Sequence, residues 1–297
     1  MTDLKNPHIS IVIPAYDEEL IIGQVLDEIL ALKLDAEIVV VCDGATDNTA
    51  GVARERRGVR VIEHPYNIGN GAAVKTGIRA ARGEVILLMD GDGQHKASDI
   101  PRLLEQTARY DMVVGARTSE SDARVHRTAA NTIYNTFASY IVGRHVEDLT
   151  SGFRAVRARV AKGFAYLLPN GFSYPTTLTL ALFRAGYSVR YEPIVAPARV
   201  GQSKIRLFRD GFGFLLTMMR IGTVFAPLRI FLPITLALIL PGSAYMAYSL
   251  ALFRRFSSFA GVLILAGVFL FMLGLIAEQI ALLRMSQIGY FYHEDTE

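Results

Sequence analysis

The sequence contains one cysteine, no tryptophan and little excess of either charge. Because Cys42 is the single cysteine, no intramolecular disulfide can form, and a reducing compartment is expected. Cys42 lies in an apolar run. A formal net charge of +3 over 297 residues is too small to indicate a nucleic-acid-binding protein. The first eight residues are polar and lack an apolar core, so we expect no signal peptide.

Apolar residues make up 51% of the sequence, and they are concentrated after Phe212. Two uncharged apolar runs, Ile230–Phe253 and Phe259–Ala277, are long enough to cross a bilayer. The segment 206–229 mixes aromatic residues with arginines, which is typical of a helix lying along a membrane surface. We therefore predict a catalytic domain over 1–205, an interfacial amphipathic helix over 206–229 and a transmembrane helical hairpin with a short tail over 230–297.

Short apolar runs alternate with helical patterns through the first 205 residues. Predicted strands are Ile9–Pro14, Glu37–Cys42, Val59–Glu63, Glu84–Leu88 and Met112–Gly115. Asp17, Asp47 and Asp99 are expected to cap three of the intervening helices. Such alternation predicts an α/β fold with a mainly parallel sheet and right-handed crossovers.

Two aspartates separated by one glycine follow the fourth predicted strand. Asp90 and Asp92 can point to the same side, because side chains alternate along an extended segment. Gly91 and Gly93 leave room for a ligand to approach the backbone. Carboxylate oxygens suit Mg²⁺ or Mn²⁺ carrying a diphosphate, although these four residues alone also fit a polar turn.

Further polar residues follow the first two predicted strands. Asp43 follows the second strand, and Tyr16 and Glu18 follow the first. Ligands of open α/β sheets bind at the carboxyl ends of the strands. Acids at three neighbouring strand ends therefore predict one site for a nucleoside diphosphate.

Six ordered motifs resemble those of inverting glycosyltransferases of the GT-A fold. They read IVIPAYDEE, VVVCDGATDNT, NIGNGAAVKTGI, LLMDGDGQH, VVGAR and DLTSGFRAVR. The match is closest to the dolichyl-phosphate mannose synthase-like and other polyprenyl-phosphate sugar transferases, and it covers roughly Ile9 to Lys204. The resemblance implies a GT-A-type, mainly parallel sheet flanked by helices, followed by an interfacial helix and two transmembrane helices.

The resemblance also implies a role for each matching residue. The nucleotide-sugar would be bound by Pro14, Tyr16, Glu18, Val41, Asp43, Asp90, Gly91, Asp92, Arg117, Arg199 and Lys204. The metal, Mg²⁺ or Mn²⁺, would be bound by Asp90, Asp92 and Gln94. Catalysis is expected to depend on Asp92, Arg117 and Lys204. From the residues alone, Arg117 also fits a surface ion pair, and the basic loop around Lys204 also fits lipid headgroups.

The acceptor phosphate would be bound by Arg117, Arg127 and Asn131. Arg127 and Asn131 are one turn apart in a helix predicted over Arg124–Val142, so they share a face. A solvated helix face is the alternative for Arg127. Relatives usually carry serine at the position of Asn131, and many carry a glutamate after GFSY where this sequence has Pro175-Thr176-Thr177. We therefore name no general base there.

These features together predict metal-dependent inverting transfer of a sugar from a UDP- or GDP-sugar to dolichyl or undecaprenyl phosphate. A multi-pass membrane protein with two spans and a cytoplasmic catalytic domain is expected, although Arg254 and Arg255 in the hairpin loop oppose the positive-inside rule. Glu278 near the end of the second span is interpreted as an anchor at the interface. The family resemblance implies a homo-oligomer such as a tetramer.

Two alternatives to this function stay open. A processive polysaccharide synthase typically carries a tryptophan-containing motif, and this sequence has no tryptophan. A non-catalytic, membrane-tethered nucleotide-sugar-binding protein would need no acceptor machinery, whereas Arg127, Arg154 and Lys204 suggest some.

Overall fold

A computed structural model of the chain describes residues 9–118, 125–171, 173–196, 219 and 222–290. For 125–131 and 284–290 it describes the backbone and not the side chains. The chain divides into two compact units, Met1–Lys204 and Ile205–Glu297.

A seven-stranded sheet forms the centre of the first unit. Its strands are β1 (Ile9–Ala15), β2 (Ala36–Cys42), β3 (Val59–Glu63), β4 (Val85–Leu88), β5 (Met112–Arg117), β6 (Arg154–Arg157) and β7 (Val189–Ile194). Their spatial order is β3-β2-β1-β4-β6-β5-β7. All neighbours are parallel except β6, which runs antiparallel to both β4 and β5. β1 is buried at every residue, as expected of a strand covered on both faces.

Seven helices of the described first unit flank this sheet. They are α1 (Ile22–Ala31), α2 (Thr49–Arg54), α3 (Asn70–Ala80), α4 (Ile100–Gln106), α5 (Val125–Val142), α6 (Ala158–Phe164) and α7 (Tyr174–Arg184). The apolar face of α1, with Leu26, shares a buried core with Ile11 and Ile13 of β1. On the other face of β1, α3 packs so closely that a Cβ at Gly77 would lie 2.1 Å from Cγ1 of Val12. Helices therefore cover both faces of the sheet.

The reversed strand β6 determines which loops meet at one edge of the sheet. Leu88 at the end of β4 pairs with Arg154 at the start of β6, and Arg154 also pairs with Val114 of β5. The residues that precede β6 therefore lie beside the residues that follow β4 and β5. The mainly parallel sheet is confirmed, while β6 and β7 were not predicted. β6 is four residues long with arginine at both ends, so it carries little strand pattern.

The predicted helix caps are partly wrong. α1 begins at Ile22 and is preceded by Ile21, while the carboxylate of Asp17 accepts the backbone N–H of Thr46. Asp99 does precede α4 but makes no capping hydrogen bond, because its side chain pairs with Arg102. In both cases another donor binds the carboxylate in place of the free N–H groups of the first turn: the N–H of Thr46 from another loop for Asp17, and the side chain of Arg102 within α4 itself for Asp99.

The same comparison for α2 gives a mixed result. Asp47 lies one residue before the N-cap, and its carboxylate accepts the N–H of Thr49, the first residue of α2. α2 then ends at Arg54.

The second unit contains two long helices, α8 (Pro227–Phe253) and α9 (Ser258–Tyr290). Among the described residues, Pro227–Phe253 and Ser258–Leu283 are long and apolar enough to cross a membrane, with mean hydropathies of 1.8 and 2.7. Pro233 and Pro241 lie inside α8, which continues through both. Of the predicted interfacial helix over 206–229, 15 of the 24 residues lie outside the described residues, and its last three residues, Pro227 to Arg229, already belong to α8.

Small side chains line the contact between α8 and α9. After Pro227 and Ile230 in the first turn of α8, the buried residues recur every seven positions: Thr235, Gly242 and Ser249 on α8, and Ala260, Gly267, Gly274 and Ala281 on the described part of α9. A Cβ added to Gly267 would lie 2.5 Å from Cγ1 of Ile239, so only glycine fits there. A seven-residue period is typical of closely packed helix pairs. Glu278 adds a polar link, since its carboxylate accepts the N–H of Leu228 in the first turn of α8 at 3.1 Å.

Candidate active site

The turn that follows β4 holds the predicted metal ligands. The backbone N–H of Asp90 donates to Nδ1 of His95 at 3.3 Å, and the N–H of Gln94 donates to Oδ1 of Asp92 at 3.1 Å. Gly93 has a φ of +73°, a backbone conformation that favours glycine. These bonds fold residues 89–95 into a compact turn at the carboxyl end of the central strands.

The buried side chain of His95 stabilises this turn, a role that was not predicted from the sequence. Its ring stacks on Phe153, and the side chain is buried. Burial lowers the pKa of His95 to about 4, although the nearby charge of Asp92 opposes this shift. The imidazole is therefore neutral at pH 7, with Nδ1 accepting from Asp90 and the hydrogen on Nε2. The signal was available in the histidine that directly follows Gln94.

Arg117 at the end of β5 forms a two-pronged ion pair with Asp148. Its Nε lies 2.8 Å from Oδ2 and its Nη2 lies 2.9 Å from Oδ1. Nη2 also donates to Oγ1 of Thr150 at 2.6 Å. The side chain of Asp148 is 8% exposed and that of Arg117 is 35% exposed, so this is a half-buried pair and not the surface pair considered above.

The charges of this pair extend to the metal turn. Burial opposes ionisation of Asp148, but the hydrogen bonds and charge of Arg117 outweigh it and lower the pKa of this carboxyl. Burial likewise opposes the charge of Arg117, while Asp148 and then Asp90 raise the pKa of its guanidinium. Arg117 is therefore within electrostatic reach of Asp90.

A close backbone approach fixes the position of Asp90. A Cβ at Gly152 would lie 2.6 Å from Oδ2 of Asp90 and 3.1 Å from the hydroxyl of Tyr174. Any side chain at Gly152 would therefore displace a predicted metal ligand. This explains physically why glycine stands in the DLTSGF motif.

The loops after β1 and β2, which bear the predicted donor-binding residues, are joined by reciprocal hydrogen bonds. The carboxylate of Asp17, whose φ is +54°, accepts the backbone N–H and the hydroxyl of Thr46. The N–H of Glu19 donates to Asp47 at 3.0 Å, and the carboxylate of Glu19 accepts the N–H of Asn48 at 2.8 Å. The two loops therefore form one wall.

The predicted donor-side residues are placed by this wall. The N–H of Glu18 donates to the hydroxyl of Thr49, and Pro14 pairs with Val41 across the two strands. The adjacent charge of Asp17 is the main cause that raises the pKa of Tyr16, so its phenol stays protonated at neutral pH.

Asp43, predicted to bind the base or ribose, braces a neighbouring loop in this structure. Its side chain is 3% exposed, and Oδ1 accepts from Nδ1 of His64 at 2.7 Å and from the N–H of Ile68 at 3.0 Å. Oδ2 accepts the N–H of Gly69 at 2.7 Å. These three donors occupy three of the roughly four lone-pair positions of the carboxylate, so little of Asp43 is left for a ligand. His64 in turn lies 2.9 Å from the hydroxyl of Thr76 on α3.

Beside Asp43 lies a small polar cavity of about 60 Å³, lined in part by Cys42, Ala45 and Glu63. It has room for roughly two water molecules and is far smaller than a typical ligand pocket. Burial raises the pKa of Cys42 to about 11, so the thiol is uncharged at neutral pH.

One expected acceptor-side residue is wrong. Arg154 is fully buried, and its guanidinium donates to the carbonyl groups of Ser151 and Pro175 and to the hydroxyl of Thr179. It ties β6 to α7 inside the protein and cannot meet a ligand. Arg199 and Lys204 lie outside the described residues, and for Arg127 and Asn131 the structure describes the α5 backbone alone.

The residues of the turn fit a hard divalent cation whose coordination is completed by substrate phosphates and water. In the described part of the chain, no group of three or more His, Cys, Asp or Glu side chains could hold a metal by itself. Asp90, Asp92 and Gln94 offer oxygen donors, which Mg²⁺ and Mn²⁺ prefer. Mg²⁺ in particular is usually held by one or two carboxylates together with substrate phosphates and water.

Comparisons with known proteins identify the family of the chain. Residues 10–164 match the model of glycosyl transferase family 2, and residues 226–283 match the GtrB C-terminal hairpin. A dolichyl-phosphate hexose transferase of Haloferax volcanii is 32% identical over 216 residues, which are 71% of this chain and 92% of that protein. A dodecaprenyl-phosphate galacturonate synthase of Rhizobium johnstonii is 31% identical over 170 residues, 54% of this chain and 50% of that protein.

Solved structures confirm the GT-A-type fold. Glucosyl-3-phosphoglycerate synthase from Mycobacterium tuberculosis, solved with Mn²⁺, UDP-glucose and phosphoglyceric acid, superposes with a TM-score of 0.60 at 20% identity. The match covers 73% of this chain and 80% of that one. The family match covers more than half of the chain, so the protein belongs to glycosyl transferase family 2 and is a glycosyltransferase.

Proposed function

We propose that this enzyme transfers a sugar from a nucleotide-sugar to the phosphate of a polyprenyl phosphate at a membrane, with inversion and with a divalent metal. Its relatives are polyprenyl-phosphate sugar transferases. The observation that carries the proposal is that one loop touches both groups: Arg117 binds Asp148 and Thr150, and Gly152 of the same loop lies against the carboxylate of Asp90. A cation and two carboxylates placed together suit two phosphate groups that must approach each other.

The donor side of the site would be built from residues of the first two loops and the turn. Pro14, Tyr16, Glu18 and Val41 would contact the base and ribose, with Asp43 behind them. Asp90, Asp92 and Gln94 would hold Mg²⁺ or Mn²⁺, which when bound neutralises the leaving diphosphate. Arg199 and Lys204 would bind the donor phosphates from their loop.

The acceptor side would be built from cations and an amide. A phosphate monoester has a second pKa near ~6, so it is mostly dianionic at neutral pH and needs no protein base. Arg117, Arg127 and Asn131 would orient one of its oxygens towards the anomeric carbon. That oxygen forms the new bond as the bond to the diphosphate breaks on the opposite face, which inverts the configuration.

The second unit would bring the reaction to the lipid. The hairpin and its two apolar helices indicate a membrane protein. We propose catalytic residues 1–205 on the cytoplasmic face, an interfacial helix over 206–229 and a hairpin over 230–297, assembled as a homo-oligomer. The chain length of the acceptor is left to experiment.

Reconstituted protein tests the proposal directly. A panel of labelled UDP- and GDP-sugars is incubated with Mn²⁺ and either undecaprenyl or dolichyl phosphate, and organic-extractable label is counted. We expect label transfer from one donor, none to the matching polyprenol that lacks phosphate, and loss with a chelator. Donor binding without transfer to any phosphate lipid would instead favour a non-catalytic binding protein, and long water-soluble products would favour a polysaccharide synthase.

Arg127 tests the acceptor side separately. Arg127→Ala should raise the Michaelis constant for the lipid phosphate, because one of its orienting cations is lost. Donor affinity, measured by calorimetry with Mn²⁺, should change little. An equal loss of affinity for donor and acceptor would place Arg127 elsewhere in the site.

A further inference from the structure

Asp148 is the centre of a hydrogen-bond network at the acceptor edge of the site. Its Oδ2 accepts the backbone N–H of Arg117 at 3.2 Å and Nε at 2.8 Å, while Oδ1 accepts Nη2 at 2.9 Å. The backbone N–H groups of Thr150 and Ser151 each lie 3.1 Å from Oδ1. A carboxylate has about four lone-pair positions, so these donors occupy all of them.

Asn135 of α5 clamps the chain on both sides of Asp148. Its Nδ2 donates to the carbonyl oxygen of Glu147, and its Oδ1 accepts the N–H of Leu149 at 3.0 Å. Asn135 stands four residues after Asn131 on the helix that carries the proposed acceptor residues. The place of Asp148 is therefore set by that helix.

The guanidinium of Arg117 is bound to protein through Nε and Nη2 but not through Nη1 in the described part of the chain. Nε and Nη2 are bound by Asp148 and Thr150. Across the ranges that the structure covers, Nη1 makes no hydrogen bond, and the side chain is 35% exposed. The guanidinium is thus held along one edge, which leaves the Nη1 edge for an anion in the field of Asp90.

We infer that Asp148 is a positioning residue: held by Asn135, it aims the guanidinium of Arg117 at the phosphate that reacts beside the Asp90–Asp92 turn, and it does not itself remove a proton. The inference rests on the proposed function and adds a role that the sequence motifs left unassigned. It also joins the acceptor helix to the donor turn through four named residues, Asn135, Asp148, Arg117 and Asp90.

A base would need a different geometry. It needs a lone pair directed at the proton that it removes, within hydrogen-bond reach. The lone pairs of Asp148 face Arg117 and its own loop, and its side chain is 8% exposed. Burial opposes its charge, yet Arg117 keeps its pKa below the ordinary value, which makes it a weaker proton acceptor.

A double-mutant cycle with the full-length protein tests the inference. Asp148→Asn keeps the shape of the side chain and removes its charge, and Arg117→Lys keeps a charge but cannot form the two-pronged pair. We expect Asp148→Asn to lower kcat/KM for the lipid phosphate roughly 10- to 100-fold, as loss of a supporting partner commonly does. In the Arg117→Lys background the same change should cost less than about threefold, since the interaction is already lost.

The pH profile separates positioning from proton removal. A positioning role lowers the rate by the same factor at every pH, whereas a lost base also removes the acidic limb of the profile. His95, Tyr191 and Arg154, which also feel the charge of Asp148, are unchanged in these variants. Losses that multiply in the double mutant, or a changed acidic limb, would overturn the inference.

Two further variants guard against a trivial result. Asp111→Asn is the matched control. Asp111 directly precedes β5, the strand that ends at Arg117, and its carboxylate accepts hydrogen bonds from the N–H and hydroxyl of Ser188. It should retain wild-type turnover. If Asp148→Asn does not fold, the cycle is run with Asn135→Ala, whose smaller loss should also disappear in the Arg117→Lys background; a loss that persists there would refute the link.

The outcome also separates this inference from the proposed function. Wild-type protein that transfers no sugar from any donor refutes the proposed function. The cycle is then measured on the affinity for UDP or GDP with Mn²⁺, to which Arg117 also contributes on the donor side. Active wild-type protein with independent losses at Arg117 and Asp148 refutes the inference alone.

Discussion

The imidazole of His95 stacks against the ring of Phe153 with centroids 5.0 Å apart and planes 15° apart. One ring belongs to the turn after β4 and the other to the segment just before β6. The two motifs that bear the metal ligands and Asp148 are therefore packed together by a pair of aromatic rings. The pair is buried, so any change in the charge of His95 is felt by the fold.

We predict that His95 makes stability depend on pH between about 6.5 and about 4. Its pKa is about 4 in the folded protein against an ordinary value of 6.5. In that window the unfolded chain binds a proton and the folded chain does not, so stability falls as the pH is lowered and the loss is complete below pH 4. The full effect is about 3 kcal/mol at most.

Thermal unfolding in detergent over this pH range measures the effect. His95→Asn should flatten the decline, and the same change at the exposed His145 should leave it as in the wild type. Equal slopes for wild type and His95→Asn would show that other groups cause the acid loss.

We predict that Asp92→Ala removes metal-dependent donor binding and transfer while the protein still folds. Asp92 lies in a strand-end turn, and loss of a metal ligand removes several kcal/mol of transition-state stabilisation. Calorimetry with nucleotide-sugar and Mn²⁺, together with circular dichroism, provides the measurement. Asp99→Ala, in which an aspartate paired with Arg102 is lost, is the matched control. Wild-type turnover of Asp92→Ala with Mn²⁺ present would refute the metal assignment.

We predict that removal of residues 227–297 leaves nucleotide-sugar binding intact and severely reduces transfer to long-chain lipid. The reason is that every proposed donor residue lies before α8, and the first unit has its own buried core. Calorimetry of the shortened chain and a transfer assay with short and long acceptors measure the two effects. A shortened chain that folds but does not bind the nucleotide-sugar would mean that the hairpin helps to form the donor site.

We predict that Gly267→Val destabilises the hairpin by about 1–3 kcal/mol, the usual effect of overpacking a close contact. The added Cβ would meet Ile239 at 2.5 Å. Leu265→Val, two residues away on an exposed part of α9, is the control. The unfolding midpoint in detergent should fall for the first variant and stay near wild type for the second.

Local pattern predicted the first five strands of the sheet and the strand-end position of Asp90 and Asp92. Those features follow from apolar runs and from the rule that ligands meet the carboxyl ends of strands. The family resemblance added Arg117, which the structure places near Asp90. The roles of Asp148 and Asn135 could not be predicted, because their partners lie 31 and 12 to 14 residues away in the chain.

The errors also have a physical cause. Asp17 was expected at a helix start, where free N–H groups attract an acid, yet the N–H of Thr46 on a neighbouring loop binds it instead. Arg154 was expected on the acceptor side of the site because of its charge, but three buried oxygen partners hold it in the core. In each case a long-range partner outweighed the local preference of the residue.

The antiparallel course of β6 has a consequence for how this chain can be altered. Because β6 enters at the catalytic edge and exits at the opposite one, the connections near Glu84, Tyr110 and Arg157 gather away from every residue assigned to the reaction. Affinity tags, fluorescent domains or new chain termini inserted at that rear edge should leave turnover intact. The connection between α5 and β6, by contrast, tolerates no added length, since its residues fix both Asp90 and Arg117.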